Sequence, residues 1–160
     1  MSQSGENLRL SMRHWPTGVT VVTSCFGDIR HGMTVNSFTS ISLEPPVVSI
    51  TLANSTRTCQ LVRQSGIVAI TILNEDQGEV SDRFAGRIPE EGDRFAGLDT
   101  FSLVTGAPLL VGGLSYLDCR VRAQHPLELS TLFLLDVIVA QPSERNRPLV
   151  YFNRGYHLLT

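Results

Sequence analysis

Apolar residues recur along this chain with two different periods, and the period changes where prolines and glycines stand. Leu8, Met12 and Trp15 share one helical face behind Asn7, a residue type that caps helices, and Pro16 ends the segment. A short amphipathic helix is predicted there. From Thr17 the pattern is that of a strand: TGVTVVTS is β-branched almost throughout, and Gly27 and Asp28 supply turn chemistry before a second extended run, GMTVNSFTSIS. The two read as a hairpin. Pro45 and Pro46 then interrupt pairing, and VVSITLA begins a third strand.

Helical spacing returns from Thr56 to Ser65, closed by Gly66, with Cys59, Leu61 and Val62 placed to pack inward. IVAITIL follows as an almost wholly apolar strand. A second such helix, Asp76 to Ala85, pairs Val80 with Phe84 and ends at Gly86, after which GRIPEEGDRFAG reads as a loop. The pentapeptide DRFAG occurs at both Asp82 and Asp93, too short a likeness to define a repeat architecture. Further strands are predicted at 114–123, 132–140 and 148–152. About six or seven mostly antiparallel strands with two or three short helices imply a mainly β chain whose sheet closes into a barrel. With no linker or shift in composition, residues 1–160 read as one domain.

Composition narrows the function. At 42% hydrophobic and 18% charged residues the chain is globular rather than disordered, and a net charge of -2 offers no field for nucleic acid. No apolar run reaches the roughly 20 residues that span a bilayer, and the amino end lacks a signal-peptide pattern, so a cytoplasmic location is expected. Cys25, Cys59 and Cys119 are widely spaced and read as reduced, packed thiols; neither they nor His14, His31, His125 and His157 have metal-ligand spacing. No nucleophile elbow, zincin helix, Walker loop or dinucleotide glycine motif is present. Glu90 and Glu91 read as solvated loop charge rather than an acid/base pair.

Three segments could carry chemistry, each with an ordinary structural reading beside it. In GMTVNSFTS, Thr34, Asn36 and Phe38 would face one way and Met33, Val35 and Ser37 the other, offering flat apolar contact and polar rim groups to a planar heteroaromatic ligand; it also reads as a half-wet strand. In ANSTRTC, Ser55, Thr56, Arg57 and Thr58 sit where a helix begins, and free N–H groups there suit a phosphate; the same residues also read as a plain cap. YFNRGYH gathers Tyr151, Arg154, Tyr156 and His157, able to stack on a dinucleotide or merely to end the chain as an exposed strand.

WPTGVTVVTS, HGMTVNSFTSISLEPPVVSI, the NSTRT helix start, DRFAG and PLVYFNRGYH together resemble the flavin reductase-like family from about Arg13 to His157, and in particular the reductase components of two-component flavin monooxygenases of the styrene and 4-hydroxyphenylacetate type. The resemblance implies a homodimeric FMN-binding split barrel. It further implies FMN or FAD as flavin, NADH or NADPH as co-substrate, hydride transfer to flavin N5, and a partner flavin-dependent monooxygenase. By the same likeness Thr34, Val35, Asn36 and Ser37 would line the isoalloxazine ring, with Ser49, Ile50 and Thr51 behind it. Ala53, Asn54, Ser55 and Thr58 would hold the phosphate, while Phe84, Tyr151, Arg154 and Tyr156 would close the pocket. One departure bears on the nicotinamide: Leu129 and Ser130 stand where many relatives carry an Asp-His pair and Leu135 replaces a small residue, so either the nicotinamide site is rebuilt with nearby His125 or NAD(P)H is not the natural donor. A flavin carrier or sensor without reductase activity is the alternative on the same fold.

Overall fold

The computed structural model describes residues 2–88 and 92–159, so Glu90 and Glu91 lie outside the described residues. Helix α1 spans Gln3–Met12, α2 Arg57–Ser65 and α3 Gly78–Phe84. The strands are β1 (Thr17–Gly18), β2 (Thr20–Phe26), β3 (Ile29–Val35), β4 (Thr39–Leu43), β5 (Pro46–Ala53) and β6 (Ile67–Ile72). They continue with β7 (Thr100–Ser102), β8 (Pro108–Leu110), β9 (Ser115–Pro126), β10 (Ser130–Pro142), β11 (Val150–Phe152) and β12 (Gly155–His157).

Seven strands form one antiparallel sheet in the order β3-β2-β6-β9-β10-β5-β4. The sheet curls until β3 approaches β5. At that seam Ser37 Oγ donates to the carbonyl of Thr51 and accepts its N–H, each at 3.0 Å, so one hydroxyl replaces a missing strand neighbour. This corrects the single strand expected across GMTVNSFTSIS. Val35 is its last residue, and Asn36, Ser37 and Phe38 leave the ladder before β4 begins. A side chain holding a peptide group competes directly with continued pairing.

The barrel interior is filled by Val22, Ile50, Leu52, Val68, Ile70, Phe133 and Leu135, and α2 plugs it with Cys59 and Val62. The helix runs as its pattern dictates. Thr56 caps it by accepting the Cys59 N–H, and Gly66 ends it in the left-handed region at φ 69°. All three cysteines are free thiols, and burial pushes Cys119 up to about 12, which keeps it protonated and inert.

A second apolar layer covers the outside of β2, where Val19, Val21, Leu73, Phe84, Phe95 and Leu149 meet. Here the repeated pentapeptide acquires a meaning. Phe84 and Phe95, equivalent positions in the two copies, stack edge to face at 5.1 Å. Arg83 donates to the Ala96 carbonyl at 2.8 Å and Arg94 to the Phe84 carbonyl at 3.0 Å, so each copy's arginine grips the other's backbone.

Two other expectations need correction. Ser2, not Asn7, caps α1, because its hydroxyl accepts the Gly5 N–H at 3.2 Å while Asn7 lies inside the helix bonded to Gln3. No residue of α1 is buried, so Leu8 and Met12 do not enter the core. The helix expected from Asp76 starts at Gly78, since Asn74 Oδ1 takes the Asp76 N–H at 2.6 Å and holds the preceding residues in a turn.

Gly113 gives a stability test. A Cβ there would stand 2.5 Å from Thr71 Cγ2 and 2.9 Å from the Ile72 carbonyl oxygen. Backbone oxygen cannot yield cheaply, so Gly113→Ala is expected to destabilise the fold by about 1–3 kcal/mol, seen as a lower midpoint in chemical denaturation.

Candidate functional site

Three cavities follow one another across the open side of the barrel. The first, about 460 Å³, lies against the start of α2 and is lined by His31, Met33, Thr34, Arg57, Thr58 and Arg94 among others. The second, about 300 Å³, shares Thr34 and Ala85 with it and adds Val19, Asn36, Arg87, Tyr151 and Tyr156. The third, about 240 Å³, shares Asn36 and Tyr151 with the second and reaches Arg13, Trp15 and Arg154.

The α2 end gathers donors and positive charge. Thr56 Oγ1 satisfies Cys59 N–H, leaving those of Arg57 and Thr58 as the helix's unpaired donors among the described residues. The helix dipole adds positive potential there, and Arg57 projects from the first turn. Thr58 is buried, its hydroxyl 2.8 Å from His31 Nδ1. Burial, followed by the charges of Arg94 and Arg57, lowers His31 from its ordinary 6.5 to about 4. The imidazole is therefore neutral at physiological pH. Between pH 6.5 and about 4 the unfolded chain binds a proton that the folded chain refuses, so stability falls as pH drops through that window. His31→Gln should flatten that part of the stability profile in acid-to-neutral thermal melts.

In the middle cavity, Thr34 Oγ1 donates to the Ser81 carbonyl at 2.6 Å, which ties β3 to α3. Tyr151 and Tyr156 face each other across the β11–β12 pair, rings 5.9 Å apart, with the Arg87 guanidinium 5.7 Å and 6.0 Å from the two ring centres. The Tyr156 hydroxyl donates to Asp82 Oδ1 at 2.7 Å, and its burial raises the phenol's pKa. Asn36 is exposed at the junction of the second and third cavities.

The structure sorts the expected site residues into groups. Thr34, Asn36, Tyr151 and Tyr156 line the middle cavity, and Thr58 lines the α2 cavity. Val35 and Ile50 point into the barrel core, and Ser37 is spent on the seam, so these offer backbone or support rather than side-chain contact. Ser49 is buried and Thr51 half-buried on the strand behind. Ala53 and Ser55 are exposed beside α2.

Asn54 is already engaged. Its carboxamide donates to the Leu127 carbonyl at 3.2 Å and accepts from Arg63 at 2.9 Å and Thr131 at 2.7 Å, joining the α2 loop to the β9–β10 turn. Phe84 lines the α2 cavity and is fully buried. Arg154 faces the third cavity, not the second. Ser130 pairs with Ala53 and exposed His125 with Leu132, at the same edge of the barrel as the α2 loop.

His31, Arg87 and Arg94 escaped the sequence reading. The one signal for them was adjacency, since His31 precedes the GMTVNS block and Arg87 and Arg94 flank or occupy the DRFAG copies.

A profile of the flavin reductase like domain matches residues 12–160. The chain belongs to the flavin reductase-like family. It is 37% identical over 95% of its length to the reductase component of the FADH(2)-dependent resorcinol hydroxylase of Rhizobium sp. (strain MTP-10005), covering 86% of that protein. It is 36% identical over 96% of its length to the NADH-dependent flavin reductase of Rhodococcus sp, covering 85% of that protein. Among solved structures, the NADH:FAD oxidoreductase of Streptomyces globisporus C-1027 superposes with a TM-score of 0.91 at 30% identity, covering 100% of this chain and 96% of that one. Membership accounts for the barrel and for the motif blocks from WPTGV to RGYH. No helix among the described residues is long and apolar enough to cross a membrane.

Proposed function

We propose that this member of the flavin reductase-like family is an NAD(P)H:flavin oxidoreductase that supplies reduced flavin to a partner oxygenase. The supporting observation is the chemistry of the groove. The α2 cavity brings the guanidiniums of Arg57 and Arg94 and the hydroxyl-bearing Thr34, Thr56 and Thr58 beside the apolar Met33, Phe84 and Ala85, with no carboxylate among its described lining residues, which suits a flavin's phosphate. The middle cavity combines the apolar Val19 and Ala85 with Thr34 and Asn36, as a flat ring with a polar rim requires.

Arg57 and the free N–H groups of α2 would hold the phosphate, and Asn36 and the β3 backbone would meet the ring's polar edge. Hydride acceptance belongs to the flavin ring when bound, and hydride donation to the nicotinamide. What the chain contributes is orientation: Thr34 and Ser37 fix the strand end, Phe84 supports the floor, and Tyr151 and Tyr156 wall the open side. FMN and FAD both suit such a site, since Arg57 at the start of α2 is exposed.

The relatives' names, a reductase component and an NADH-dependent reductase, support the same assignment and the oxygenase partner. A homodimer is part of the proposal. Leu43 on edge strand β4 is 84% exposed and Leu129 at the β9–β10 turn 80%, surfaces that a second copy would cover. Light scattering at twice the chain mass checks it.

The deciding experiment is anaerobic mixing of the protein with FMN or FAD and each pyridine nucleotide, following loss of flavin absorbance. Bleaching by NADH or NADPH is expected. A protein that binds flavin yet leaves it oxidised would be a carrier or sensor instead. Ser130→His, which restores half of the Asp-His pair, is expected to lower the KM for NADH, and an unchanged KM would remove Ser130 from the nicotinamide site.

A further inference from the structure

The two DRFAG copies are followed by different residues, Arg87 after the first and Leu98 after the second, although Gly86 and Gly97 both turn in the left-handed region, at φ 70° and 73°. Around Gly86 the Arg87 N–H donates to the Asp82 carbonyl at 3.0 Å and the Gly86 N–H to the Arg83 carbonyl at 3.1 Å, the pair of bonds by which a left-handed residue closes a helix. The first copy therefore brings a cation back over its own start. There Arg87 Nη1 donates to Asp82 Oδ1 at 2.8 Å and Nη2 to the Tyr151 hydroxyl at 3.3 Å. The Tyr156 hydroxyl donates to the same Asp82 oxygen, so the carboxylate is fixed as firmly as the guanidinium it holds.

Among the described residues that line the middle cavity, Arg87 is the one with a formal charge, and Asp82 stands behind it rather than on the lining. Its side chain is 48% exposed, yet a turn, a carboxylate, a phenol oxygen and two aromatic rings hold it in place. A cation fixed in advance beside a cavity answers charge that appears there during a reaction, because nothing has to reorganise at that moment. Hydride transfer to N5 moves two electrons and one proton onto a neutral flavin ring, which gains one negative charge, while the donor leaves as a pyridinium cation; no further proton is needed. We propose that Arg87 offsets the negative charge that hydride transfer places on the flavin ring, and that Asp82 positions the guanidinium and limits its field. This rests on the reading of the middle cavity as the ring site. Because the cation is paired, the reduced ring is favoured over the oxidised one without being trapped, as its release to a second protein requires. A mere clamp joining α3 to the β11–β12 pair would use the same contacts, but it would leave the relative affinity for the two redox forms untouched.

The midpoint potential of FMN bound to the whole protein, measured by slow anaerobic reduction with xanthine oxidase against a reference dye, tests this without any pyridine nucleotide. Arg87→Gln is expected to weaken reduced FMN by about tenfold or more relative to oxidised FMN, which lowers the midpoint by about 30 mV or more for a two-electron couple. Arg87→Lys keeps the charge and should keep most of the parent's potential. Asp82→Asn removes the counter-charge and should move the midpoint the opposite way, upward. The Kd of oxidised FMN should stay parent-like in Arg87→Gln, and a thermal melt establishes that each variant is folded. An unchanged midpoint in Arg87→Gln, an equal loss of affinity for both redox forms, a Lys variant that behaves like the Gln one, or shifts of the same sign in Arg87→Gln and Asp82→Asn would each make the cluster a clamp and refute the assignment. Failure of the reductase reading would look different: the parent's flavin would go unbleached by either nucleotide, whatever the potentials of the variants.

Discussion

Arg57→Glu should weaken FMN binding by about 100-fold or more while changing riboflavin affinity little, since a charge-assisted hydrogen bond to phosphate contributes about 1.5–3 kcal/mol and the reversed charge adds repulsion. The substitution is chosen so that folding is not the explanation. Arg57 is the first residue of α2, exposed, with no acidic residue in that turn, and a carboxylate at a helix N-terminus is favourable by about 0.3–1 kcal/mol. The helix should therefore be as stable as before or slightly more so. Paired fluorescence titrations with FMN and riboflavin, plus a thermal melt, check both halves. Equal losses for the two ligands would place the phosphate somewhere other than α2.

Phe84→Ala is expected to cost about 3–5 kcal/mol of folding stability, the usual range for deleting a buried aromatic ring. Phe84 is fully buried and stacks on Phe95, and Gly32 lies so close that a Cβ there would come within 2.9 Å of the Phe84 ring. The glycine of GMTVNS is thus a glycine because of a ring 52 residues later in the chain, by the numbers of the two positions. Removing that ring empties the space under β3 and α3 at once, so flavin affinity should fall along with stability. Urea denaturation and flavin titration on the same variant measure the two effects. Phe84→Leu, which retains most of the volume, should recover much of both. A variant as stable as the parent would mean that the second apolar layer closes over the gap, against the packing seen at Gly32.

The amphipathic elements and their punctuation were legible because they are local. Helix α2, with Thr56 before it and Gly66 after it, follows from hydroxyl capping and left-handed glycine alone, and its inward residues follow from its period. The β-branched runs at β2, β5 and β6 declare themselves in the same way. The free N–H groups at the start of α2 were equally readable, since any helix presents them there.

Other features depended on partners distant along the chain. Alternation through Asn36 to Phe38 is as regular as in β3, yet the strand stops, because Ser37 finds the peptide of Thr51. Asn54, expected at the phosphate, has its carboxamide tying the α2 loop to the β9–β10 turn, a link that sequence alone does not show. Phe84, expected to close the pocket, is buried against Phe95, its twin in the second DRFAG copy, which sequence alone does not show.

Taken alone, the order of residues determined most of the extended and helical stretches, both limits of α2, and which family blocks the chain carries. Only the folded molecule decided that His31, Thr58, Arg87 and Tyr156 border one groove, that Arg13 and Arg154 adjoin, and that α1 contributes to a cavity rather than to the core. The reason is physical. Period and capping are set by neighbours within a few residues, whereas a binding groove is the space left between elements whose mutual placement depends on closing the barrel and packing both of its apolar layers.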